Sequence, residues 1–351
     1  MSDALPEKVH LVGSIGLDSV EEVFRTVGKT LGRRLKRVPD GEPGSRRLWV
    51  SFQYPFLRSS PFLRPDPSGA VRKTSGFPLL CLAEGVDPAE LRFGELGYAR
   101  EARASYLDFC AARSRGELPP AIRFQVCLPT PMGVIYAFCT PPDLLMIEPA
   151  YEQAMLREVE AICRAIPHDD LCLQWDFCHE MIIWDGQPHD MLPRVKASKD
   201  EIIARMVRIC APVPATVELG FHLCYGDFGA KHFIEPRDAG KMVEVANALA
   251  RSVRHEIAYI HLPVPMTRTD DDYFRPLLEL QLSPTTELYL GLVHAADGVE
   301  GTRRRISVAR KYVKDFGIAT ECGMARARTQ RVVEALLGVH RESSREPATA
   351  R

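Results

Sequence analysis

No stretch of the 351 residues approaches the roughly 18 consecutive apolar residues that a membrane-spanning helix needs. Residues 1–11 are mixed polar and hold no apolar core of a secretion signal, so the reading expects a cytoplasmic protein with no membrane partner. An excess of either charge is also missing. Forty-five Lys and Arg stand against 46 Asp and Glu, a net charge of −1, which leaves no electrostatic footprint for nucleic acid. The short basic runs, Arg33-Arg34-Leu35-Lys36-Arg37 and Arg303-Arg304-Arg305, read as solvated surface. There is no internal repeat and no composition break that marks a domain boundary. Nor does a chain of this length, 46% hydrophobic, need disulfides to hold its core. Most of its ten cysteines (Cys81, Cys110, Cys127, Cys139, Cys163, Cys172 and Cys210) sit in apolar runs, where they read as small hydrophobes.

What is present is a rhythm. Eight short apolar runs recur, at residues 10–13, 35–39, 122–128, 171–175, 216–224, 257–262, 288–294 and 317–322. Helix-length segments with 3.6-residue periodicity fall between most of them: 19–31, 151–166, 200–210, 236–255 and 298–316. Ser198 with Glu201 forms a capping-box pattern at the start of the third. Strands alternating with helices predict a parallel sheet, either closed into a (β/α)8 TIM barrel or left open and doubly wound. Residues 50–120 are too long for a simple connection and read as an insertion after the second strand, a lid over the mouth of the sheet. The reading is one domain over 1–340 and a disordered polar tail over 341–351.

Three residues break the pattern of buried, inert cysteine. His222 and Cys224 end the fifth run. Positions i and i+2 of a strand point the same way, so both side chains can reach one ion. Cys322 ends the eighth run, and in a barrel both strand ends open on the same face. A His, Cys, Cys set with a fourth position open is a catalytic type of zinc site, whereas spacing alone is equally met by a core histidine and a core cysteine.

Around these residues the sequence resembles the catalytic barrel of the cobalamin-independent methionine synthases. His222-Leu-Cys-Tyr and Glu321-Cys-Gly-Met-Ala-Arg look like that family's zinc-binding segments. Val12-Gly-Ser-Ile is similar to its Gly-Ser-Phe-Pro motif, Asp40-Gly-Glu-Pro-Gly-Ser-Arg-Arg to its His-Gly-Glu-Pro-Glu-Arg segment, and Leu173-Gln-Trp-Asp to its Gln-Ile-Asp-Glu-Pro strand end. Together the matches cover about residues 10–335. The resemblance implies a closed barrel, with zinc held by His222, Cys224 and Cys322. It places Ser14, Glu42 and Asp176 around the amino-acid part of a thiol substrate. Carboxylates can hold an ammonium group by charge-assisted hydrogen bonds.

The sequence also departs from the family. Where the family has a glutamate ligand on the sixth strand, this chain has His261, which either binds zinc or contacts a ligand or the substrate. The family's proton-donating histidine on the seventh strand is absent, but His294 lies two residues earlier on the same face and is the candidate acid or base. Tyr136 replaces a tryptophan that stacks on folate, and Phe177-Cys178 replaces Glu-Pro. His179 follows at the strand end, within reach of substrate. The expected function is zinc-dependent transfer of a methyl or other alkyl group to a thiol, with a small thiol and an alkyl donor as partners. Methylfolate-dependent methionine synthesis itself is not expected. Alternatives are an epoxide:thiol transferase, a zinc-assisted C–S lyase, a metal-independent barrel like the uroporphyrinogen decarboxylases, and a zinc-stabilised binding module.

Overall fold

A computed structural model of the chain describes residues 5–187, 196–227, 229 and 231–347. The strands are β1 (Arg37–Pro39), β2 (Leu63–Pro65), β3 (Leu80–Leu82), β4 (Arg123–Pro129), β5 (Leu171–Phe177), β6 (Glu218–Leu223), β7 (Ile257–Pro263), β8 (Glu287–Val293) and β9 (Gly317–Thr320). Seven of them form one sheet in the order β1-β4-β5-β6-β7-β8-β9, every pair parallel. The helices are α1 (Val20–Leu31), α2 (Tyr54–Arg58), α3 (Tyr98–Ser114), α4 (Pro131–Phe138), α5 (Leu144–Ala165), α6 (His179–Asp185), α7 (Lys199–Cys210), α8 (Gly240–Ser252), α9 (Asp271–Phe274), α10 (Gly298–Ala309) and α11 (Gln330–Glu342). Among the described residues no helix is long and apolar enough to cross a membrane.

The sheet curls until its two edges share one partner. Val9 bridges Leu35 on one side and Ile318 on the other, both in parallel sense. Its amide donates to the Arg34 carbonyl (3.0 Å), and the His10 amide donates to the Ile318 carbonyl (2.9 Å). The architecture is therefore TIM-barrel-like: seven of the eight expected runs are strands, while the first is a two-sided bridge at Val9 rather than a strand over 10–13. In such a sheet every strand ends on the same side, so residues just past Pro39, Phe177, Leu223 and Thr320 face one another across the mouth.

Local chemistry sets the helix starts. The Ser19 side chain accepts the Glu22 amide at the head of α1, and Ser198 with Glu201 forms a complete capping box at the head of α7. Helix α5 begins earlier than its periodicity predicts, at Leu144, and runs through Pro149. Proline removes the hydrogen bond to the residue four back, Leu145, which is exposed, so water can satisfy that carbonyl.

The basic runs are not wholly surface. Arg37 is buried in the barrel, where Nε donates to Glu218 (2.5 Å) and Nη1 to Glu287 (2.8 Å), with the guanidinium 4.6 Å from the centre of the Tyr259 ring. Arg305 is buried against Asp297. Strand and helix geometry turn one residue of each run inward, and a carboxylate meets it there.

Between β1 and β4 lie short helical turns over Gly44–Gln53, then α2, an antiparallel pair of β2 and β3, and α3. At the other end, the expected tail is helical to Glu342. Ser343 and Ser344 are buried, and the Ser344 hydroxyl donates to the His340 carbonyl; residues 348–351 lie outside the described residues.

Candidate metal centre and cavity

His222 lies on β6 in register with Asp176 on β5 and His261 on β7. Cys224 follows β6 directly and Cys322 follows β9 by two residues. The structure brings one ligand atom from each of His222, Cys224 and Cys322 within 4.8 Å of the others, and all three residues are buried. Cys224 Sγ and Cys322 Sγ are 3.7 Å apart. Two sulfurs bound about 2.3 Å from a tetrahedral zinc ion would stand about 3.8 Å apart, so the thiol spacing fits such an ion. It is far longer than a disulfide of about 2.05 Å, and both cysteines are free.

The histidine fits as well. His222 Nδ1 is 2.7 Å from His261 Nδ1, and one of these nitrogens must carry the proton between them. His222 Nε2 is buried and has no hydrogen-bond partner among the described residues, the state expected of a lone pair kept for a metal. Burial, reinforced by His261, pulls the His222 pKa well below its ordinary value, so the ring is neutral, as a ligand must be. His261 is outside the group of three and sits behind His222; burial holds it at about 3.

The two sulfurs have donors of their own. The Gly226 amide donates to Cys224 (3.3 Å), and Arg326 Nη2 donates to Cys322 (3.3 Å). Arg326 and Arg328 both reach Asp227, at 3.5 Å and 3.2 Å. Without a cation the thiols stay protonated. Cys224 is raised first by a hydrogen bond with Cys178, and Cys322 first by its bond with Cys224, with burial adding to both. A bound dication reverses that preference.

His222, Cys224, Asp227, Cys322 and Arg326 line a cavity of about 470 Å³, together with Ser14, Glu42, Trp49 and Asp176. Gly323 lets Ser14 approach the Cys322 loop, because a Cβ there would lie 2.1 Å from Ser14 Oγ. Glu42 adopts φ 51°, an uncommon left-handed conformation for a residue with a side chain. Its amide donates to Asp40 Oδ1 (2.9 Å), which holds the turn. Asp176 accepts from Gln174 Nε2 (2.8 Å) and from Trp49 Nε1 (3.1 Å). Burial pushes the Asp176 carboxyl up to about 7 in spite of these donors. Burial, and after it the neighbouring Asp176, pushes Glu42 up to about 8. Two carboxyls at one wall of a cavity resist ionising together, and a cationic group between them would relieve both.

Four residues singled out from the sequence are not among the described residues that line this cavity: Tyr136, His179, His261 and His294. Tyr136 is buried in α4, its ring 6.3 Å from that of His179, which also faces Trp49 at 5.9 Å. His294 Nε2 donates to the Val264 carbonyl (2.8 Å), Nδ1 lies 3.8 Å from Glu321, and burial lowers its pKa to about 3. Sequence reasoning missed Trp49, Asp227 and Arg326 as cavity residues, whereas Cys178, expected at the mouth, does line it. Arg326 ends one quoted motif and Asp227 stands two residues past another, whereas nothing in the sequence pointed to Trp49.

No family model matches this sequence, and no curated protein does. Among solved structures the chain is similar to a putative vitamin-B12 independent methionine synthase from Listeria monocytogenes, with 14% identity, a TM-score of 0.55, and 97% of this chain and 98% of that one covered. It is also similar to a B12-independent methionine synthase from Shewanella sp. W3-18-1, solved in complex with selenomethionine, at 15% identity, a TM-score of 0.60 and 97% coverage of both chains. At these identities the likeness is one of fold: the chain has the barrel-like fold of the B12-independent methionine synthases.

Proposed function

We propose that this chain is a zinc-dependent enzyme that transfers a methyl or other alkyl group to a small thiol carrying an amino group. The observation that carries the reading is the convergence of His222, Cys224 and Cys322 on the wall of a cavity that also presents Glu42 and Asp176. His222, Cys224 and Cys322 would hold the zinc ion, which would supply a Lewis acid that favours the thiolate form of a substrate thiol at neutral pH.

The protein's own groups do the rest. Asp176, oriented by Gln174 and Trp49, and Glu42 receive the substrate ammonium, and Ser14 closes the same side. His261 fixes the ring of His222 from behind, as partners of metal-binding histidines do. Gly226 and Arg326 stabilise anionic sulfur on Cys224 and Cys322. The substrate sulfur then forms a bond to the donor carbon as the carbon's bond to its leaving group breaks, and the leaving group takes the electron pair. Residues 50–120 serve as a lid and contribute Ser51, Arg72, Thr74 and Phe77 to the cavity wall. Tyr136, which stands where the family's folate-stacking tryptophan would be, is not among the described residues that line the cavity.

The test is an assay of zinc-loaded protein with amino-bearing thiols, offered methyl and epoxide donors in turn, with thioether formation read by mass spectrometry. Transfer that disappears in Cys224→Ala is the expected result. Full activity in that variant would remove the proposed mechanism.

A further inference from the structure

Arg72 and Thr74 bring to the cavity buried donors that no role above uses. Both lie in a tight turn: the Arg72 amide donates to the Phe77 carbonyl (2.8 Å), the Gly76 amide donates to the Arg72 carbonyl (2.7 Å), and Val71 bridges Pro78. The guanidinium lies over the Phe138 ring, 4.9 Å from its centre, which fixes its plane. Arg72 is only 9% exposed, yet among the described residues its Nε and Nη1 have no acceptor, and the Thr74 hydroxyl is likewise buried and unpartnered. Both residues line the cavity that holds Cys224 and Cys322.

Arginines taken wholly or partly out of water here meet a carboxylate: buried Arg37 meets Glu218 and Glu287, buried Arg305 meets Asp297, and half-buried Arg326 meets Asp227. Arg72 does not. Burial, with a contribution from the like charge of Arg326, pulls it down to about 10. A charged group taken out of water without a partner is costly, and a site keeps one where a ligand brings the partner.

We propose that Arg72 and Thr74 form an oxyanion subsite, and that one of the two molecules reacting in this cavity carries a carboxylate seated on it. The planar guanidinium suits a carboxylate, and the hydroxyl adds a third donor direction. The subsite stands on its own geometry; that its ligand is a reactant rests on the thiol-transfer reading. The cavity then has two electrical ends, Glu42 with Asp176 for a cation and Arg72 with Thr74 for an anion.

The test is calorimetric binding to zinc-loaded and metal-free protein, wild type beside Arg72→Gln and Thr74→Val, using 3-mercaptopropionate, 6-mercaptohexanoate, 2-mercaptoethanol and propionate. A mercapto acid bound roughly ten- to hundredfold more tightly than 2-mercaptoethanol, with the preference lost in Arg72→Gln and weakened in Thr74→Val, places the carboxylate on the thiol. Equal affinity for the thiols, with Arg72-dependent binding of propionate, places it on the alkyl donor. Acid affinities that Arg72→Gln leaves unchanged overturn the subsite. If the thiols bind metal-free protein as well as the zinc form, the zinc reading fails while the Arg72 comparison still decides the subsite. A second readout needs no ligand. Arg72→Met melts at or above the wild-type temperature if the guanidinium is held for a ligand, and several degrees lower if Arg72 only supports the fold.

Discussion

His222 and His261 meet through their Nδ1 atoms at 2.7 Å, which leaves the His222 Nε2 as the one nitrogen of that ring free for an ion. Asparagine at 261 keeps a hydrogen-bonding group but loses the ring that fixes His222. His261→Asn is therefore expected to bind zinc roughly 10- to 100-fold more weakly, with the stoichiometry restored at saturating metal. Competition against a chromophoric chelator measures this. An unchanged affinity would mean that His261 does not orient the ligand.

The two raised carboxyls make stability depend on pH in an unusual direction. An acid whose folded pKa lies above its unfolded value binds more protons in the folded state, so its contribution to stability falls as pH rises. For Asp176 the fall runs from its ordinary value near 3.8 to about 7, and for Glu42 from near 4.5 to about 8. Glu42→Gln should therefore melt higher than the wild type at pH 9, by roughly 2 °C or more, and show no such gain at pH 4. The same substitution is expected to weaken binding of an amine-bearing thiol. Melting curves across pH check the first claim and calorimetry the second.

Trp49 Nε1 donates to Asp176 Oδ2 at 3.1 Å, a bond to a buried carboxylate. Trp49→Phe removes the donor and retains a ring. The Asp176 carboxyl should then ionise at higher pH, so the pH profile for binding an amine-bearing thiol moves upward, with affinity at neutral pH reduced roughly threefold to tenfold. A profile that does not move would separate Trp49 from the chemistry.

Below the cavity, Gly220 on β6 leaves room for Tyr259 on β7. A Cβ at Gly220 would stand 2.2 Å from the tyrosine ring, whose hydroxyl donates to Gln174, the residue that positions Asp176. Gly220→Ala is expected to cost about 1–3 kcal/mol in denaturant unfolding and to weaken thiol binding as well. A neutral result would show that the ring has somewhere to go.

The repeating strands were readable because buried parallel strands leave continuous apolar runs, and seven of the eight runs became strands. The metal-competent trio was readable because His222 and Cys224 are two apart on one strand and Cys322 ends another, and the family resemblance set these three apart from core histidine and cysteine. Residues 44–97, ahead of the long helix α3, gave no such signal. Their three-residue strands and short helical turns are too brief for a period to show, so the placement of Trp49 and Arg72 on the cavity wall depends on tertiary packing. For the same reason, Arg37 read as surface from its basic neighbours, whereas its partners Glu218 and Glu287 come from strands far along the chain.

The central claim is the metal, and the most direct measurement is the zinc content of the purified chain with none added, wild type beside Cys322→Ala. The account predicts one zinc per chain in the wild type and none in the variant. A wild type that holds no zinc even when supplied with it, or a variant that holds as much, would contradict it.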